Sequence, residues 1–176
     1  MITKKFISVL VIMLVGSGFL FAQDYKYIGA AKCKMCHNKP NKGEQFNKWS
    51  KLKHANAMKS LVSQKAIDYA KANGIADASK EAKCLKCHST ASTVPAKLNA
   101  GIKPTEGVSC ESCHGPGSAY KAVSVMKNQK LAIQKGLIVP DEALCKKCHN
   151  DENPFFQGFD YAAALKTIAH PDPTLQ

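Results

Sequence analysis

Behind a positively charged start, Lys4 and Lys5, the chain runs through a largely apolar stretch from Phe6 to Phe21. That stretch holds 16 residues and is interrupted by Gly16, Ser17 and Gly18, short of the ~20 apolar residues that span a bilayer. With the small residue Ala22 at its end, it predicts a secretory signal peptide over residues 1–22 rather than a retained anchor. No cysteine lies near the cut, which argues against a lipid-anchored N terminus. Residues 23–176 then form one domain by length.

Beyond the leader the apolar spacing becomes helical. Phe46, Trp49 and Leu52 recur every three residues and Ala57 and Leu61 continue their side, which predicts one helix over 41–61. A second helix is expected over 63–73, stopped by Gly74. Asp77 or Ser79 starts a short helix leading into Cys84, and 89–107, rich in Ser, Thr, Pro and Gly, reads as a loop. Further helices are expected over 125–135, stopped by Gly136, from Asp141 towards Cys145, and over 160–169 before Pro171. Strand alternation is scarce, so the expected fold class is mainly α.

Composition makes that fold hard to hold together. With one tryptophan and 7% aromatic residues, the chain has little bulk for a core, so the cysteines matter. All eight fall in four Cys-x-x-Cys-His units: Cys33, Cys36 and His37; Cys84, Cys87 and His88; Cys110, Cys113 and His114; Cys145, Cys148 and His149. This is the attachment signature of haem c. Two thiols at that spacing add across the two vinyl groups of one porphyrin, and the next side chain reaches the iron from one face. Zinc knuckles and redox disulfides also use Cys-x-x-Cys pairs, but neither requires a histidine after each one. With six histidines in the chain, four such placements have a chance probability of roughly one in a million on composition alone. The expected cofactors are four haem c groups, forming the core of a globule with a radius of gyration of ~15 Å.

Axial ligands are in short supply. Four haems with two histidines each need eight, so at most two can be bis-histidine within one chain. His54 and His170 are the spare histidines and the candidate distal ligands. On a continuous helix His54 lies about 20 Å from Asn41, beyond reach of the iron on His37. Of Met35, Met58 and Met126, the last is the candidate distal methionine. Met35 sits inside an attachment unit, and Met58, four residues after His54, reads as core packing. Tyr120, a lysine or an open position remain alternatives to Met126.

All 25 basic residues are lysines, set against 13 acids. Loss of Lys4 and Lys5 takes the formal charge from +12 to +10. Ten lysines from Lys26 to Lys65 face only Glu44, whereas 141–160 carries five acids and two lysines. Such a face suits redox protein partners with an acidic docking surface; an anionic membrane is a further candidate that the reading does not require. Nucleic acid is excluded as a partner by the missing arginine, the missing fold motif and the export signal. Oligomeric state is not legible.

Two stretches resemble the tetrahaem cytochrome c-554 family over most of the exported chain. Trp49 is followed five residues on by His54-Ala55-Asn56-Ala57-Met58-Lys59-Ser60-Leu61, similar to that family's tryptophan-to-distal-histidine segment. The third unit stands in Gly107-Val108-Ser109-Cys110-Glu111-Ser112-Cys113-His114-Gly115-Pro116-Gly117, close to the family's wording. The resemblance implies a helical fold of closely packed haems, a periplasmic electron carrier, His54 as a distal ligand and one haem without a protein sixth ligand. His170 corresponds loosely to the family's late ligand. One departure stands out: the family places a distal histidine several residues after Gly-Pro-Gly, and 118–126 contains none.

Electron transfer between redox partners is therefore the expected function. The alternative is reduction or oxidation of a small nitrogen-oxide-type ligand at a five-coordinate haem, although no catalytic acid or base is identifiable. Polymerisation into a filament would draw on the same six histidines and does not relieve their shortage.

Overall fold

The computed structural model describes residues 24–174; the expected signal peptide lies outside them. Among the described residues the structure is helical, with no β-strand and one isolated bridge between Tyr27 and Asn99. No helix among them is long and apolar enough to cross a membrane.

Eleven short α-helices follow in order among the described residues. Helix α1 (Ala30–His37) carries the first unit, α2 (Gln45–Lys51) and α3 (Ala57–Ser60) flank His54, and α4 (Gln64–Ala72) follows. Helix α5 (Ala82–His88) carries the second unit and leads into α6 (Thr90–Thr93); α7 (Cys110–His114) is the third unit itself. Helices α8 (Val123–Met126) and α9 (Gln129–Gln134) precede α10 (Glu142–Cys145), which opens the fourth unit, and α11 (Tyr161–Ile168) comes last.

Capping residues decide most of these starts. Ser63, Asn128, Asp141 and Asp160 each accept a backbone N–H three residues on, from Ala66, Leu131, Leu144 and Ala163, which satisfies one of the unpaired amides of a first helical turn. The expected stop at Gly74 fits its φ of +68°.

Four expectations need correction. The loop expected over 89–107 holds α6, which Ser89 caps by accepting the Ser92 N–H (3.3 Å), and 3-10 turns at Ala96–Leu98 and Pro104–Glu106. The single helix over 41–61 is broken: Leu52 is extended at ψ 158°, and the Asn56 amide donates to the carbonyls of Ser50 (3.2 Å) and Leu52 (2.9 Å). His54 therefore sits in a turn, and the distance along a helix does not apply. The helix expected over 125–135 is two, because Asn128 caps a fresh start. The helix around Cys84 is α5 itself, capped by Glu81, while the Asp77 carboxylate accepts from Ser79 instead of capping a helix.

The apolar core is thin. Leu61, Ala70 and Ala78 form one small cluster, joined by Met58, Ala66, Ile75, Cys84 and Leu85, so Met58 serves packing. The largest fully buried side chains are Glu111, Ser89 and Ser109. A chain of this size ordinarily buries large apolar side chains in its interior. Here the buried apolar residues are mostly small, four of them alanines, and few large side chains join them.

Candidate functional site

The two stretches that carried the resemblance lie against each other. The Trp49 indole N–H donates to Val108 O (3.0 Å) and the Val108 N–H donates to His54 O (2.9 Å). Gly107 permits this approach: it holds φ +63°, and a Cβ there would stand 2.7 Å from His54 O. His54 is thereby docked on the third unit's leading loop by its own backbone.

Both spare histidines meet an attachment histidine. The rings of His54 and His149 are 6.0 Å apart, centre to centre, at 89°; those of His114 and His170 are 6.0 Å apart at 76°. Two imidazoles on opposite sides of one metal, with bonds of about 2 Å, have centres about 6 Å apart. Burial, then His149, holds His54 below the usual imidazole range, and burial does the same for His149 and, foremost, for His114. The neutral form so favoured is the one that offers a lone pair to a metal.

Backbone carbonyls orient three rings. Nδ1 of His88 lies 3.0 Å from Ala57 O, that of His114 3.3 Å from Ile138 O, and that of His170 2.8 Å from Ile168 O. A carbonyl only accepts, so the proton is on Nδ1 and Nε2 is left for a ligand. Phe159 stacks on His149 at 4.7 Å and 20°. These supporting residues carry no sequence signal of their own.

His37, His54, His114, His170, Trp49 and Met126 line one cavity of about 330 Å³, together with Cys33, Cys110 and Cys113. Among the described residues His37 and His88 have no histidine ring at a comparable distance, and Met126 shares the cavity of His37. Tyr120 is otherwise engaged: its hydroxyl donates to Gly115 O (2.9 Å), and burial, then Glu111, raises its pKa.

The thiols also mark neighbours. None of the eight pairs with another as a disulfide; Cys36 is exposed and the others partly so. Cys33 and Cys110 share a hydrogen bond that lowers the first and, with burial, raises the second. Burial, then Cys145, raises Cys113. Burial, then the Cys87 thiol, pushes Cys148 up to about 12. The units thus adjoin in the order first, third, fourth, second.

This arrangement fits haem better than zinc. Among the described residues no three His, Cys, Asp or Glu side chains converge on one metal position, as a closed zinc site requires. A porphyrin supplies its own equatorial nitrogens and asks the chain for thiols, axial ligands and apolar walls. Those are the groups assembled here, around a centre the polypeptide leaves short of apolar bulk.

Comparison with known proteins agrees. The family described as cytochrome c554 and c-prime matches residues 32–115, which span the first three units. Cytochrome c-554 of Nitrosomonas europaea is 32% identical over 136 residues, covering 74% of this chain and 55% of that protein. The chain belongs to the cytochrome c-554 family. It is therefore a c-type cytochrome, mainly α, with covalently bound haem c. The chain spans about half the length of this curated relative. No solved structure matches it significantly.

Proposed function

We propose that this member of the cytochrome c-554 family is an exported, periplasmic four-haem carrier that moves electrons between redox proteins, with residues 1–22 its signal peptide and 23–176 one domain. The observation that carries this reading is the placement of the two spare histidines, each 6.0 Å from the histidine of an attachment unit. In this reading Cys33 and Cys36, Cys84 and Cys87, Cys110 and Cys113, and Cys145 and Cys148 hold one haem each. His37, His88, His114 and His149 are the proximal ligands; His54 is distal on the fourth unit and His170 on the third. Met126, sharing the cavity of His37, is the distal ligand on the first unit. Iron changing between its ferric and ferrous states supplies the redox chemistry when haem is bound.

The chain's own contribution is spacing, polarity and docking. Neighbouring thiols support the sequence first, third, fourth, second for the attachment units. Cys36 and Met35 of the first unit are exposed, Met35 at 71%. Lys32, Lys34 and Lys39 surround them, and Lys48, Lys51 and Lys53 follow on the same side of the sequence, all exposed. An acidic redox partner suits that face.

His88 supports a second reading. Among the described residues no histidine ring pairs with it and Met126 lines the cavity of His37 instead, which favours its unit for an open position that takes a small nitrogen-oxide-type ligand.

Electron paramagnetic resonance of the oxidised protein separates the readings. The carrier reading expects low-spin signals from the units of His114 and His149 as bis-imidazole haems. A high-spin signal that responds to nitric oxide and turns over substrate with a soluble donor would favour the enzyme. Absence of any bis-imidazole signal would overturn the ligand set.

A further inference from the structure

We propose that Glu111 is a positioning residue that seats the first attachment unit against the third and fixes the separation of the groups they carry. The proposal rests on both units carrying haem.

The thioether chemistry places no demand on the two residues between the cysteines. Three units fill those places with Lys34 and Met35, Leu85 and Lys86, and Lys146 and Lys147, of which all but Leu85 are exposed. The third unit has Glu111, which is 1% exposed. Burying a carboxylate is costly unless hydrogen bonds replace its water. Here they do: Ile28 N–H donates to Oε1 (2.9 Å) and Oε2 (3.0 Å), Gly29 N–H to Oε2 (2.8 Å) and Gly117 N–H to Oε1 (2.6 Å). Every contact is an N–H donor, matching a carboxylate that only accepts.

The first two donors lie 83 and 82 residues away in sequence, at the start of α1. Helix α1 has no capping side chain of its own, since its N-cap is Gly29. Its amides are capped instead from the third unit's segment, by Glu111 and by Glu106, whose Oε2 accepts the Ala30 N–H (2.9 Å). A carboxylate at a helix N-terminus is also favoured by the helix dipole. The contact between the units extends beyond these hydrogen bonds, because α1 packs directly against α7. Gly117, where a Cβ would stand 3.1 Å from Oε1, leaves room for the carboxylate.

Two variants test the clamp. Glu111→Gln keeps the length but turns an NH2 donor onto backbone N–H groups; Glu111→Asp keeps both accepting oxygens but falls one methylene short. Both are prepared as matured holoprotein, haem content is read by mass, and two further signals are recorded: the magnetic interaction between haems in the resonance spectrum and the exchange rates of the Ile28 and Gly29 amides. The expected result is that both variants alter the interaction signal and speed those amides by about tenfold, the equivalent of one buried hydrogen bond lost. An unaltered signal and unchanged exchange in Glu111→Asp at full haem content would overturn the proposal. If neither variant matures, exchange in the wild type decides: Ile28 and Gly29 opening only with global unfolding supports the clamp, and exchange at unprotected rates removes it. Failure of the haem reading shows separately, as missing mass.

Discussion

At the residue scale, the six histidines divide into two kinds of information. The proposed roles of His37, His88, His114 and His149 rest on local chemistry: a ligand must follow its thiols directly. The partners of His54 and His170 are not local, since His54 meets His149 across 95 positions and His114 meets His170 across 56, distances that only folding closes. The pairing predicts distinct outcomes. His54→Ala should convert one low-spin haem, that on His149, to high spin, and His170→Ala should do the same for His114, each leaving haem content unchanged. Resonance spectra of the two variants test this; identical losses from both, or none, would contradict the pairing. Met126→Leu should change the absorption and raise the ligand affinity of one haem only, without affecting the two bis-imidazole signals.

Among the elements, capping chemistry was readable and continuity was not. Asp141 and Asp160 announce helices that α10 and α11 supply. The break inside 41–61 escapes periodicity, because Phe46, Trp49 and Leu52 keep helical spacing on both sides of a turn that Asn56 closes with its amide. Likewise the cap on α1 comes from Glu106 and Glu111, far along the chain, so nothing beside Gly29 signals it. Two glycines test how tightly these joints are made. Gly107→Ala places a Cβ 2.7 Å from His54 O at φ +63°, and Gly74→Ala, at φ +68°, meets nothing within 4 Å. Thermal or denaturant unfolding should show the second losing about 1 kcal/mol for the left-handed backbone alone. The first should lose well over about 1 kcal/mol and perturb the His54-dependent signal. Equal losses would mean that the loop around Gly107 yields and the docking of His54 is loose.

For the whole molecule, mainly α architecture was legible from spacing, and the helices bear it out; the scarcity of aromatics is the ground for proposing a haem-built core. Folding and haem attachment should accordingly be coupled, as in other metal-closed domains: chain made without cytochrome maturation should give no cooperative calorimetric transition, whereas an apo chain melting like the holoprotein would contradict a haem-built core. Lopsided charge makes a further prediction at this scale. Electron exchange with an acidic partner should slow steeply as ionic strength shortens the screening length from ~10 Å at 0.1 M towards ~3 Å at 1 M; a rate indifferent to salt would remove the lysine face as the docking surface. The most direct measurement is the intact mass of protein purified after expression with a working maturation system. The account predicts residues 23–176 plus four covalent haems and a strong Soret band; a mass with fewer haems, or that of the bare polypeptide, would contradict it.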